Sequence, residues 1–166
     1  MSKVYIRPVD SSDAHELIKM NQRSQYFHQP WVAPFLDKSD FDIWFSRCQK
    51  GAIVGLVVRK ADSSEIVGLI NINEIVAGSF QSGYLGYYGS ADHAGQGYMT
   101  EALQLAVRYA FDKLDLHRLE ANIQPENIRS IALVRRVGFA QEGFSPKYLF
   151  VDGKWRDHER WAILNE

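Results

Sequence analysis

The sequence predicts an α+β fold (mixed α/β), with six to seven mostly antiparallel strands and about four helices. Three observations carry this. From Ala52 to Gly89, runs rich in Val, Ile and Tyr alternate with short polar or glycine turns, the pattern of consecutive antiparallel strands. Apolar residues at Met99, Leu103, Ala106, Val107, Ala110, Phe111 and Leu114 recur every three or four positions, which makes one face of a helix about four turns long. Between the two patterns lies Gly95-Gln96-Gly97, a glycine turn from strand to helix.

Val4 to Pro8 reads as a first strand, and Asp10-Ser11-Ser12-Asp13 as the start of a helix through Ala14, Leu17, Ile18 and Asn21. Tyr26 to Phe35 holds two prolines and four aromatics, so it reads as an irregular loop whose rings pack down or line a site. Asp37-Lys38-Ser39-Asp40 opens a second helix carrying Phe41, Trp44, Phe45 and Cys48, and Gly51 ends it. Strands follow at Ala52–Arg59, Ile66–Val76 and Phe80–Gly89, with turns at 61–64 and Gly78-Ser79. After the long helix come a strand at Arg118–Ile123 and a shorter helix begun at Pro125 and Asn127 and stopped by Gly138. Phe139–Phe144 and Pro146–Val151 read as extended, and Asp152-Gly153 as a hairpin turn into a last strand, Trp155–Leu164.

Composition narrows the function classes. With 46% of 166 residues apolar, 1–166 has the core of a single domain. Nineteen basic against twenty acidic residues give a net charge of −1, which argues against nucleic acid or an anionic membrane as partner. A lone Cys48 rules out an internal disulfide, and no apolar run approaches twenty residues, so the expectation is a soluble, cytoplasmic protein. Cys48 falls on an apolar helix face and reads as core.

Gly95 and Gly97 let the backbone approach a partner and leave the first helical N–H groups unpaired at the positive end of the helix dipole. That is an anion site, suited to phosphate, although two glycines before a helix also make a plain tight turn. It is not a nucleoside-triphosphate loop, because no Gly-Lys-Ser/Thr is present. Nor is it a dinucleotide fingerprint, since the third glycine is missing.

In its setting the turn resembles the pyrophosphate loop Gln/Arg-x-x-Gly-x-Gly/Ala of the Gcn5-related N-acetyltransferase (GNAT) family. The resemblance runs from about Arg7 to Leu164 through Gly78-Ser79-Phe80, Tyr84-Leu85-Gly86-Tyr87, Asn127-Ile128-Arg129-Ser130, Val137-Gly138-Phe139, Glu142-Gly143 and Asp152 to His158. It is closest to the RimJ/RimL-like branch, which acetylates the N-termini of ribosomal proteins. In one departure Asp92 stands at the Gln/Arg position, which leaves the phosphates more dependent on backbone N–H groups.

The resemblance implies a sheet that splays apart between its fourth and fifth strands. It implies acetyl-coenzyme A as acyl donor, coenzyme A as product and no metal. Leu85, Gly86 and Tyr87 would bond the pantetheine arm and the oxyanion. His93, Gly95, Gln96, Gly97, Tyr98, Met99 and Thr100 would hold the pyrophosphate. Asn127 would bond the cofactor and Ser130 its sulfur, as the acid for the departing thiolate; Tyr148 is the alternative acid, and helix capping explains Asn127 equally well. Tyr84 stands where the family often has a glutamate base, so Glu74 or Glu120 acting through a water is the remaining carboxylate route. His28 and Trp31 would wall the acceptor pocket, and Asp157 would tie the last hairpin to the sheet.

The acceptor expected from the branch is the N-terminal alanine or serine α-amine of a ribosomal protein. A small amine (polyamine, aminoglycoside or amino acid) is the alternative, and a non-catalytic acyl-coenzyme A-binding module is the reading from another class. Polyamines call for clustered carboxylates, and 26–35 has none. The assembly would be a monomer or homodimer.

Overall fold

The computed structural model describes residues Met1–Glu166. Its strands are β1 (Val4–Pro8), β2 (Ile53–Lys60), β3 (Ile66–Val76), β4 (Ser82–Gly89), β5 (Arg118–Ile123), β6 (Ala140–Val151) and β7 (Lys154–Leu164). Its helices are α1 (Ala14–Arg23), α2 (Gln25–His28), α3 (Lys38–Gln49), α4 (Tyr98–Asp112) and α5 (Ile128–Val137). One seven-stranded sheet runs in the order β1-β2-β3-β4-β5-β7-β6. Every neighbouring pair is antiparallel except β4 and β5, which are parallel.

Helix ends follow the residues that mark them. Asp37 Oδ1 accepts the Asp40 N–H ahead of α3, and Asn127 caps α5. Gly138, at φ +114°, stops α5. Two details differ from the sequence reading. Gln25–His28 forms a single helical turn within the stretch expected to be irregular, because Pro30 lies beyond it and the Phe27 and His28 N–H groups can donate to the Ser24 carbonyl. The two segments around Pro146 are one strand, β6, whose register against β7 breaks between Ser145 and Leu149.

The sheet buries both faces. Leu85, Leu103, Ala106, Leu119, Ala121 and Val134 belong to the core under α4 and α5, and Leu17, Met20, Phe41, Val57, Leu69 and Tyr88 to the core under α1 and α3. Because alternate residues of a strand face opposite ways, β4 sends Leu85 and Tyr87 to the α4/α5 side and Tyr84, Gly86 and Tyr88 to the α1/α3 side. Far from β4, the buried Asp13 carboxylate joins Arg7 of β1 (2.6 Å) to Arg59 of β2 (2.7 Å).

The sheet parts in the middle. β4 pairs with β5 only over Ser82–Tyr84 against Arg118–Glu120. Beyond that vertex Leu85–Gly89 keeps only β3, Ala121–Ile123 keeps only β7, and a wedge opens between them. The segment after α2 straps the open end: His28 Nε2 meets the Gly89 carbonyl at 2.8 Å, and Gln124 Nε2 donates to the Pro30 carbonyl at 2.8 Å. No helix is long and apolar enough to cross a membrane.

Candidate active site

The wedge is a cleft of about 720 Å³, walled by β4, the ends of β5 and β7, the glycine loop, the first turns of α4 and α5, and the strap. At the loop, Gly95 (φ +76°) and Gly97 (φ +82°) take the left-handed conformation that a side chain resists. The N–H groups of Gly95, Gln96, Gly97, Tyr98, Met99 and Thr100 donate to no backbone carbonyl. They form an uncommitted row of donors at the start of a fifteen-residue helix. Lys3 Nζ donates to the Gln96 carbonyl at 3.0 Å, which steadies the loop from outside.

The other loop residues have set places. His93 lies between Ser90 Oγ (3.2 Å) and a carboxylate oxygen of Glu65 (3.3 Å). Asp92 is paired with Arg23 at 3.2 Å. Arg136, from α5, lines the cleft and donates to Thr100 Oγ1 at 3.3 Å, so a cation stands beside the loop although the motif position lacks one. Met99 tucks against Gly68 and Gly89, where a Cβ would lie 2.6 and 3.2 Å from it.

Further along β4 the wall is backbone. Leu85, Gly86 and Tyr87 all line the cleft, and a Cβ built on Gly86 would meet nothing within 4 Å. An unpaired strand edge, open space at Gly86 and a donor loop fit an extended thioester arm ending in a diphosphate. Ser130 and Asn127 face this edge from α5, and Asn127 Oδ1 accepts the Ser130 N–H at 3.4 Å, so Asn127 does cap the helix.

Two features escaped the sequence reading. The Tyr87 hydroxyl is hydrogen-bonded to Ser130 Oγ, and burial pushes this phenol up to about 12, so it keeps its proton near neutral pH. Strand alternation was the available signal, since Tyr87 must share a side with Leu85. His158 of β7 is also a cleft residue, although only 3% exposed. Its signal was the same alternation, since it must face the side of β7 opposite the core residue Trp161. Tyr148, the alternative acid, lies away from Ser130; its hydroxyl is 3.4 Å from that of Tyr84, on the other side of the sheet.

The carboxylates offered as base do not line the cleft. Glu120 is 7% exposed and takes bonds from Arg118 (2.9 Å) and Asn122 (3.4 Å), so it is neither a solvated face residue nor a free base. Glu74 is exposed, at φ +49°, where the register of β3 against β4 shifts. Both contribute negative charge at Tyr84, whose phenol is pushed up to about 12 first by its bond with Tyr148 and then by burial. Trp31 and His28 line the cleft from the strap, and the His28 ring lies 5.0 Å from that of Tyr88. The Asp157 carboxylate accepts the Lys147 N–H at 2.9 Å, holding the irregular stretch of β6 to β7.

Residues 3–140 match the family model for the acetyltransferase (GNAT) domain. Over 170 residues the chain is 35% identical to the [ribosomal protein uS5]-alanine N-acetyltransferase of Escherichia coli, covering 97% of this chain and 87% of that protein. It is 25% identical over 169 residues to the spermidine N(1)-acetyltransferase of Vibrio cholerae, covering 98% and 94%. Among solved structures, Mycobacterium smegmatis RimJ in complex with CoA-disulfide superposes with a TM-score of 0.89 at 30% identity, over 98% of this chain and 82% of that one.

Proposed function

The chain belongs to the GNAT family of acetyl-coenzyme A-dependent N-acetyltransferases, and we propose that its acceptor is the α-amine of a protein N-terminus, first an alanine or serine of a ribosomal protein. The non-catalytic module weighed from the sequence gives way to an enzyme. One observation carries the choice of acceptor: not one aspartate or glutamate lines the cleft, and its charged residues are Arg129 and Arg136. Such a wall repels a polycation and tolerates a single amine on a polypeptide. The spermidine enzyme among the relatives keeps a small amine as the second reading.

The residues present suit direct transfer. An α-amine of pKa near 8 is about a tenth neutral at pH 7, a cost of about 1.4 kcal/mol, so a strong base is not demanded. N–H groups along the free edge of Leu85–Tyr87 are available to the developing oxyanion. The Tyr87–Ser130 hydroxyl pair is available to donate to the departing sulfur. Cys48 would not carry the acyl group: it sits outside the cleft against Gly55, and burial pushes its thiol up to about 11.

The test is thiol release from acetyl-coenzyme A with Ala- and Ser-starting ribosomal N-terminal peptides, N-terminally blocked lysine peptides, and polyamines. Turnover on free N-termini is expected. Turnover confined to polyamines or other small amines would overturn the peptide acceptor and leave the transferase.

A further inference from the structure

We propose that Nε2 of His158 accepts the proton that the acceptor amine gives up as the acyl group is transferred. The assignment rests on the transferase reading of the cleft. With no carboxylate on its wall, the cleft offers only imidazoles as neutral bases, those of His28, His93 and His158.

Hydrogen bonding separates the three. His93 is held between Ser90 and Glu65 beside the phosphate-binding loop. His28 bonds the Gly89 carbonyl through Nε2, which must carry the proton, and its Nδ1 is sealed from solvent without a partner. His158 has the opposite arrangement. Its Nδ1 lies 2.9 Å from the Arg156 carbonyl, and a carbonyl can only accept, so the neutral ring carries its proton on Nδ1. Nε2 is then a bare lone pair with no protein partner, and it is not among the atoms sealed from solvent.

Its placement suits the amine. β7 outruns β5, with Glu159 opposite Ile123, so His158 projects at the mouth of the wedge, level with Gln124. It shares a side of β7 with Arg160, opposite Asn122, which is the side onto which Gly86 opens. The Tyr148 ring packs 6.2 Å from it, and the Tyr148 hydroxyl reaches Tyr84 at the vertex. Burial lowers the pKa of His158, so the ring stays neutral in the range where the amine begins to lose its proton, although the Arg156 carbonyl and Asp157 pull the other way. Around it stand Tyr148 from β6, Arg156, Asp157 and Arg160 from its own strand, and neutral Asn122 and Gln124 from the β5 side.

The step balances. The amine nitrogen bonds to the thioester carbonyl carbon and the carbon–sulfur bond breaks. The surplus amine proton goes to His158 Nε2 and from there to solvent, while the thiolate takes one from the Ser130–Tyr87 pair, which regains a proton from solvent so that no net proton is released.

His158→Asn is the informative variant, because its amide can still donate to the Arg156 carbonyl while Nε2 is gone. At pH 7 its kcat/KM for the peptide should fall about a hundredfold, with the KM for acetyl-coenzyme A within about threefold of wild type. In the wild type, amine and imidazole titrate together on the acid side, so log kcat/KM against pH steepens from a slope of about 1 to about 2 as pH falls; the variant should keep the slope of about 1. An unchanged slope would overturn the assignment and mark His158 as a packing residue. Nitrogen-15 NMR of histidine-labelled wild type tests it without a variant: a proton on Nε2 in the neutral ring overturns it. If only polyamines react, the slopes are read with them, and His158 is judged apart from the peptide reading. If no amine reacts, both fall.

Discussion

Strand β4 carries two hydroxyl pairs on opposite faces, and they are held by different forces. On the α4/α5 side Tyr87 meets Ser130, and burial is what pushes its phenol up to about 12. On the α1/α3 side Tyr84 meets Tyr148 at 3.4 Å, and the bond itself is the larger cause of a similar rise. The first pair is enclosed by core and fixed by the start of a helix. The second joins the vertex of the wedge to the irregular stretch of a hairpin. One strand thus separates a hydroxyl pair that lines the cleft from one at its vertex that does not, and Gly86 between them lines the cleft without filling it.

Filling that space should have the largest effect. Gly86→Val puts a side chain where a Cβ has no neighbour within 4 Å, so melting temperature should hold while peptide kcat/KM drops about a hundredfold. A stable, fully active variant would show that the α1/α3 opening is not the amine's route. Next come Ser130→Ala and Tyr87→Phe. Each should lower kcat about tenfold at unchanged peptide KM, and the double variant should be little worse than the poorer single one, since the two hydroxyls act as a unit. Tyr84→Phe, at a residue that does not line the cleft, should instead leave both kcat and peptide KM nearly unchanged. If steady-state kinetics give the reverse assignment, the comparison between the faces is broken.

The smallest effect on activity belongs to Asp13, far from both pairs. Burial alone would raise its carboxyl, but donation from Arg7, the Asp10 N–H and Arg59 outweighs that and lowers it from 3.8 to about 2. A depressed folded-state value stabilises above the unfolded one, so this contribution, of the order of 2 kcal/mol, is complete above pH 4 and fades as pH falls towards 2. Urea midpoints of the wild type should fall through that window, whereas Asp13→Asn should start lower and change less there, with kcat/KM at pH 7 untouched.

The strands and the long helix were legible in the sequence because each is written in local periodicity, and the parting of the sheet was legible only through the family resemblance. Pairing with β5 ends at Tyr84, and Leu85–Tyr87 line the cleft beyond it. What stayed hidden depends on residues far apart in the chain. Tyr87 and Ser130 are 43 positions apart, and Tyr84 and Tyr148 are 64. Glu120 looked available because its partner was not counted, although Arg118 two residues earlier shares its face. His158 was hidden differently: its role depends on which ring nitrogen faces a carbonyl two residues back, which no periodicity records.

The parted strands also bear on self-association. An unpaired strand edge recruits foreign strands, and this sheet has four such edges, two outside and two within the wedge. The outer ones are blunted in sequence: β1 is five residues long and ends at Pro8, and β6 is broken around Pro146. The inner ones are not blunted that way: neither Leu85–Gly89 nor Ala121–Ile123 holds a proline. They are guarded by the strap, pinned to Gly89 on one lip and Gln124 on the other, which denies another chain the length of edge it would need to zip on. Cutting those two pins would turn a binding cleft into an adhesive surface.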